Sequence, residues 1–224
     1  MKVTYLGHAS FKIESDGKTI FVDPWLGGPT SPIKVADVEA ADIVLVTHDH
    51  GDHGYSEGVE ICKKTGATFV AINELGIQAK NDGVENVHTL NIGGSVTIGN
   101  AVVTLVHAFH SCGKGAPTGF VVKLPDATFY HPGDTGIFMD MQLFGEMYEV
   151  DVFFAPVGDY FTMNEDQAAI ATKLVNPRIV VPMHYDTFPV IKANLQLFVE
   201  LVSEKSPDTR VEIIKPGQSK NLAA

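Results

Sequence analysis

The sequence predicts an α/β fold of stacked layers containing at least one large sheet. Three observations carry this reading. Short apolar or alternating runs, bounded by turn residues, recur through the first two thirds of the chain as they do in β-meanders. Strand and helix patterns alternate in the last third, as in crossover connections. Two runs, Asp42–Val46 and Val152–Pro156, are apolar almost throughout, which fits strands covered on both faces.

In chain order, Val3–Leu6 is a strand, and a second follows in which Phe11 and Ile13 alternate with Lys12 and Glu14. Ser15-Asp16-Gly17-Lys18 is a hairpin turn with Gly17 supplying the positive φ. Thr19–Val22 returns and runs into Asp23-Pro24-Trp25 and a Gly/Pro-rich loop, Leu26–Pro32. The strand Asp42–Val46 ends at Thr47, ahead of His48-Asp49-His50-Gly51-Asp52-His53-Gly54. A helix follows over Glu57–Lys64, stopped at Gly66, then a strand at Thr68–Ala71. Asn73 is expected to cap a short helix reaching about Lys80. Val96–Ile98 and Ala101–Val106 flank Gly99-Asn100, a two-residue hairpin signal, and Phe120–Leu124 and Thr128–His131 flank Pro125-Asp126. Asn164 begins a helix with Gln167 as its capping-box partner, and Asn176-Pro177 stops it. Ile179–Val181 is a strand leading to Pro182-Met183-His184, and Ile191, Leu195, Phe198 and Val202 mark a last amphipathic helix.

Composition narrows the function. With 224 residues, 45% hydrophobic and 19% charged, the chain reads as a single globular domain over 1–224. Its two cysteines, Cys62 and Cys112, are too few for a disulfide framework or a Cys-rich zinc site. The balance of 16 Lys+Arg against 27 Asp+Glu, net −11, disfavours nucleic acid or an anionic membrane as the main partner. Only Arg178 and Arg210 are arginines, the residue best suited to grip phosphate. MKVTYLGHASFKIES lacks the apolar core of a signal peptide, and no apolar run reaches the ~18 residues of a membrane-spanning helix. The expected location is therefore the cytoplasm.

The nine histidines carry the chemistry. Residues 48–53 hold three His and two Asp, directly after a buried strand. Alternation points His48 and His50 the same way in extended chain, and a turn brings Asp52 and His53 toward the same point. Imidazole with carboxylate suits Zn²⁺, and also Mn or Fe.

Thr47-His48-Asp49-His50-Gly51-Asp52-His53 resembles the defining motif of the metallo-β-lactamase superfamily. Asp23, His110, Gly133-Asp134 and His184 follow that family's order and spacing over nearly the whole chain. Gly7-His8-Ala9-Ser10 and Asp23-Pro24-Trp25 are similar to a branch of compact hydrolases related to L-ascorbate-6-phosphate lactonase. The resemblance implies a four-layer αββα sandwich with two divalent metal ions at one sheet edge, Zn first, Mn or Fe as alternatives. His48, His50 and His110 would hold one ion. Asp52, His53 and His184 would hold the other, and Asp134 would bridge them. His107 competes with His110 at the end of the same strand, but His110 lies nearer the following turn and has the family's His-Ser context.

For the remaining groups, alternatives stand side by side. His8 is either a catalytic group, a proton donor to the leaving group or a substrate contact, or a structural histidine beside Asp23. Asp23 is expected to orient a ligand histidine. His131 reads as supporting or structural and His88 as a surface residue in a sheet connection. Cys62 reads as core, and Cys112 as a small buried thiol.

The implied activity is hydrolysis by a metal-bridging hydroxide, with Asp52 holding or orienting it. The expected substrate is a small ester, lactone or phosphate-ester metabolite. Lys114 is the obvious cation to meet an anionic substrate. Phe161-Thr162-Met163 and Tyr185-Asp186-Thr187-Phe188-Pro189 are placed to wall the pocket. Alternative readings are a di-iron redox protein, whose relatives usually carry Glu in place of Asp49 and a flavin domain, and a non-catalytic metal-binding protein. A compact acidic chain with apolar loops is also compatible with a homo-oligomer.

Overall fold

The computed structural model describes Met1–Leu222. Its strands form two mixed sheets of seven. The first holds β1 (Lys2–Gly7), β2 (Ser10–Ser15), β3 (Lys18–Val22), β4 (Ile43–Leu45), β5 (Thr68–Ile72) and β6 (Val87–Leu90) side by side in that order. The second runs in the order β7 (Ser95–Ile98), β8 (Ala101–His107), β9 (Thr118–Lys123), β10 (Thr128–His131), β11 (Val152–Pro156), β12 (Ile179–Met183) and β13 (Arg210–Val211). A last strand, β14 (Ser219–Asn221), returns to the first sheet and pairs antiparallel with β1. Each sheet begins as an antiparallel meander and turns parallel: β3 through β6 in the first, β10 through β13 in the second.

The helices are α1 (Tyr55–Thr65), α2 (Asn73–Asn81), α3 (Asp140–Tyr148), α4 (Glu165–Val175) and α5 (Leu195–Lys205). α1 and α2 cover the outer face of the first sheet; α1 packs so closely that a Cβ on Gly58 would lie 3.1 Å from Val44 and 3.4 Å from Phe69. α3, α4 and α5 cover the outer face of the second, around Tyr130, Phe153, Val180 and Phe198. The inner faces meet in one apolar core that includes Phe11, Ile13, Phe120, Phe129 and Phe154. This is the four-layer αββα arrangement. Alternate residues of β11 face opposite layers, Phe153 toward the helices and Phe154 toward the other sheet, which is why that strand is apolar at every position.

Several local expectations hold in detail. β2 and β3 close with Ser15 opposite Lys18, and both turn residues, Asp16 (φ 45°) and Gly17 (φ 75°), are left-handed. That is the twist a two-residue hairpin needs. Ile98 pairs with Ala101 around Gly99-Asn100. The capping box of α4 is present: Gln167 N–H donates to Asn164 Oδ1 at 2.9 Å and Gln167 Oε1 accepts from Asn164 N–H at 3.3 Å.

Four expectations change. Asn73 is the first helical residue and not a cap, because β5 runs straight into α2 through Ile72 without a capping side chain. The β9–β10 loop is longer than Pro125-Asp126, since Lys123 pairs with Thr128. Ile191 lies before α5 and is buried in the loop that follows His184. His88 lies on the edge strand β6, exposed as expected, and not in a connection.

Replacing Asn164 with Ala removes one half of the α4 capping box. The expected cost is about 1 kcal/mol of unfolding free energy, read as a lower denaturant midpoint with an unchanged slope.

Candidate metal centre

Both sheets deliver strand ends to one rim. From the first come His8 after β1, Asp23 after β3, and the motif after β4. From the second come His110 after β8, Asp134 after β10, and His184 after β12. In the motif, His50 is extended, a single 3₁₀ turn over Gly51–His53 reverses the chain, and Gly54 (φ 67°) opens α1. The turn is what brings His53 back under His48, ring centres 4.1 Å apart.

A buried carboxylate fixes this geometry. Asp23 Oδ1 accepts from Thr47 N–H and Oδ2 from Thr47 Oγ1–H, both at 2.8 Å, while His53 Nδ1 lies 2.7 Å from Oδ2. His53 therefore presents Nε2 toward Asp134 Oδ1, 3.2 Å away. Asp134 Oδ2 faces His184 Nε2 at 3.1 Å and His110 Nε2 at 3.6 Å, so one carboxylate touches both groups of histidines. Gly133 precedes it with φ 63°, and a Cβ there would lie 2.7 Å from Thr118 O and 2.8 Å from Thr47 Cβ, so this approach requires glycine.

Three triads place their donor atoms within 4.8 Å of one another: His48, His50 and His110; His48, His53 and Asp134; His8, His53 and His184. Six of the seven ligands expected from sequence fall in these sets. Asp52 falls outside them, with its side chain 28% exposed and Oδ2 3.3 Å from His8 Nε2. His8 takes a place in the third triad. Its Nδ1 meets Thr187 Oγ1 at 3.0 Å, and it is not bonded to Asp23. His8, Asp23 and His184 all have left-handed φ values, 55°, 44° and 57°, conformations that cost a non-glycine residue of order 1 kcal/mol. At His8 the carbonyl is held on two sides, by Tyr5 Oη–H at 2.8 Å and His184 N–H at 2.7 Å.

Burial and neighbouring charge set the protonation states. Burial pushes His48 down to about 2 and His8 down to about 4, leaving both neutral with free lone pairs. Burial also lowers His110. At Asp134, burial opposes ionisation, but His184 and His53 outweigh it and hold the carboxyl well below its usual range. Asp52 is likewise held low: burial raises it, and the His8 hydrogen bond and nearby His53 more than offset that. His53 is raised, because Asp134 and Asp23 on its two sides overcome burial.

The donor set fits a metal. His53 Nε2 and Asp134 Oδ1 are buried and lie 3.2 Å apart, yet neither makes a hydrogen bond of good geometry. Buried polar atoms are normally paired, and orphans that share the same triads are what a bound cation resolves. Neutral imidazoles with carboxylate suit Zn²⁺, Mn²⁺ or Fe²⁺.

The other candidates separate cleanly. His107 is packed against Phe138 and Phe144 and faces Asp140 Oδ2 at 3.4 Å, away from the triads. His131 is a buried support: Nε2 meets Ala9 O at 2.9 Å and Nδ1 accepts from Gly133 N–H at 3.2 Å. Cys62 is core, its thiol pushed up to about 12 by burial. Cys112 is not the buried thiol expected. It is half-exposed on a surface loop that Asp49 Oδ1 pins through Gly113 N–H at 2.7 Å. Lys114 Nζ donates to Gln78 Oε1. Of the expected walls, Phe188 lies against His8 and Phe161 is exposed, but Met163 is buried in the core. Thr47 and Trp25 stood in motif segments of the sequence without a role of their own, and Thr187 was expected only as part of the pocket wall; the structure puts Thr47 on Asp23, Trp25 beside His8, and Thr187 on His8 Nδ1.

Residues 2–184 match the family model described as the beta-lactamase superfamily domain. The chain belongs to the metallo-β-lactamase superfamily. It is 47% identical to a UPF0173 metal-dependent hydrolase of Caldivirga maquilingensis over 220 residues, covering 97% of this chain and 96% of that one. A UPF0173 metal-dependent hydrolase of Methanopyrus kandleri is 44% identical over 228 residues, covering 98% and 99%. Among solved structures, Igni18, a metallo hydrolase from the hyperthermophilic archaeon Ignicoccus hospitalis, superposes with a TM-score of 0.91 at 38% identity, covering 98% of this chain and 97% of that one. Among the described residues, no helix is long and apolar enough to cross a membrane.

Two substitutions probe the assembly. Asp23→Asn is expected to keep the fold and weaken metal affinity about 10- to 100-fold, measured by metal retention against a graded chelator. His110→Ala is expected to lose metal under conditions in which His107→Ala retains it.

Proposed function

We propose that the chain is a metal-dependent hydrolase holding two divalent ions, Zn first and Mn or Fe as alternatives, and cleaving a small ester, lactone or phosphate ester. The observation that carries this reading is Asp134, whose single carboxylate faces His53, His184 and His110 at 3.1–3.6 Å and so joins the two histidine groups. In this reading His48, His50 and His110 hold one ion. His53 and His184, with Asp52, hold the other, and Asp134 is shared. Such a pair supplies, when bound, electrophilic polarisation of the substrate and a water acidified toward neutrality.

The chain's own groups manage protons. Asp52 is ionised, and its carboxylate would accept a hydrogen bond from the attacking water and orient it. His8 is neutral and stands with Nδ1 3.0 Å from Thr187 Oγ1 and Nε2 3.3 Å from Asp52 Oδ2, placed to pass a proton to a leaving group. The partner is a small molecule: the loops that carry the site hold three lysines, Lys34, Lys114 and Lys192, and no arginine, too little to track a nucleic-acid backbone.

Metal analysis on wild type, His50→Ala and Asp52→Asn, with a panel of esters, lactones and phosphate esters, tests this. Wild type is expected to carry about two ions per chain and to turn over at least one class. His50→Ala is expected to lose metal, and Asp52→Asn to lose about 10²–10⁴ in kcat. Full metal retention in His50→Ala would overturn the assignment.

A further inference from the structure

Among the described residues, six large apolar side chains are at least half exposed; one, Met147, lies on α3, and the other five gather at one rim. Phe109, Met139, Tyr160, Phe161 and Val190 are each at least half exposed, and all lie on loops that carry His110, Asp134 or His184 or press against them. Phe109 is 63% exposed although it adjoins His110. Its backbone is fixed, with N–H donating to Thr135 Oγ1 and C=O accepting from Gly136 N–H, both at 3.0 Å. The Phe138 ring stands beside it, centroids 5.2 Å apart. Tyr160 and Phe161 pair at 4.7 Å, just past Gly158, where a Cβ would lie 2.1 Å from His184 O.

A second aromatic group stands at the opposite end of the histidine array. His8 is bracketed by Trp25 at 5.4 Å and Phe188 at 5.6 Å. From there the imidazoles step across the site: His8 to His184 at 4.0 Å, His8 to His53 at 5.9 Å, His53 to His48 at 4.1 Å, and His48 to His110 at 5.2 Å. Aromatic surface therefore closes both ends. Exposed apolar surface gathered around a polar centre marks a ligand groove more often than chance.

Charge points the same way. Segments 7–10, 23–31, 48–54, 107–110, 134–139, 157–163 and 184–191 contain no lysine or arginine; Lys192, next after the last of them, pairs with Asp186 at 3.7 Å, and Asp159 adds negative charge. Lys114 is tied to Gln78. A phosphate on the substrate would find no guanidinium to grip it in these loops.

We propose that the substrate is an uncharged carboxylic ester or lactone with apolar groups on both sides of the scissile bond, and not a phosphorylated metabolite. One side lies along Phe109 and Phe138, the other against Trp25 and Phe188. The reaction adds the oxygen of water to the acyl carbon and breaks the acyl C–O bond. It gives a carboxylate and an alcohol, whose oxygen takes a proton, and releases the second proton. This inference rests on the metallohydrolase reading above.

Alkyl hydroxamic acids, from acetohydroxamic to octanohydroxamic acid, test it on the metal-loaded protein by titration calorimetry, because the hydroxamate anchors at a metal and the chain samples its surroundings. Affinity is expected to rise about two- to fourfold per added methylene. Phe109→Ala and Phe188→Ala should each flatten that dependence, while Ile92→Ala, a distant exposed apolar residue, should leave it intact. In parallel, KM for p-nitrophenyl esters is expected to fall as the acyl chain lengthens. Equal binding of all chain lengths, or preferential turnover of p-nitrophenyl phosphate, overturns the apolar-substrate inference alone. Absence of hydroxamate binding by metal-loaded protein overturns the metallohydrolase reading beneath it.

Discussion

The buried carboxylate of Asp23 is the constraint on which the site rests. A charge out of water is costly unless every lone pair is used, and Asp23 uses its oxygens on Thr47 and His53. Its own N–H donates to Leu45 O at 2.9 Å and its C=O accepts from Ser10 Oγ, so β2, β3 and β4 are all referred to one residue. Thr47 carries the reference across the core, because its carbonyl accepts from Thr118 N–H at 3.2 Å and Thr118 Oγ1–H at 2.6 Å on β9. The position of His53 relative to Asp134 is thus set by hydrogen bonds that never reach the substrate. A third carboxylate, Asp49, extends the scheme by pinning the loop behind His110.

The sequence was most readable where local signals agreed with tertiary demand. β11 was legible to the residue because both its faces are covered, and α4 because Asn164 and Gln167 announce its start. α3 went unread: it begins without a side-chain cap, and Met139, Leu143 and Met147, four apart, put apolar residues on its exposed face. β13 and β14 are two and three residues long and exist because β12 and β1 offer edges to pair with, which no local pattern reports. Within the site, the dense motif spoke for itself. His110, Asp134 and His184 were picked out through family order, since isolated loop residues carry no periodicity. The contact between His8 and Thr187 joins positions 179 apart and is a product of the fold alone.

Net charge is a poor guide to the site's own electrostatics. The chain as a whole is at −11, yet Asp23, Asp52 and Asp134 each face at least one imidazole. Excess negative charge is spread over the outer surface, while the rim combines compensated polar groups with aromatic rings. Long-range attraction of anions is therefore weak, which is why the proposed substrate is selected by shape and apolar contact.

The division of the proposed ligands between the sheets has a mechanical side. His48, His50 and His53 leave the first sheet, while His110, Asp134 and His184 leave the second. Any cation held by both sets is a rivet through the sandwich, closing loops that span most of the chain. Such a rivet binds the folded state alone, so each tenfold rise in free metal above the dissociation constant adds about 1.4 kcal/mol to stability. The equilibrium stability of the fold would then follow the metal supply of its surroundings, and scarcity would loosen the sandwich along the rim that carries the proposed ligands.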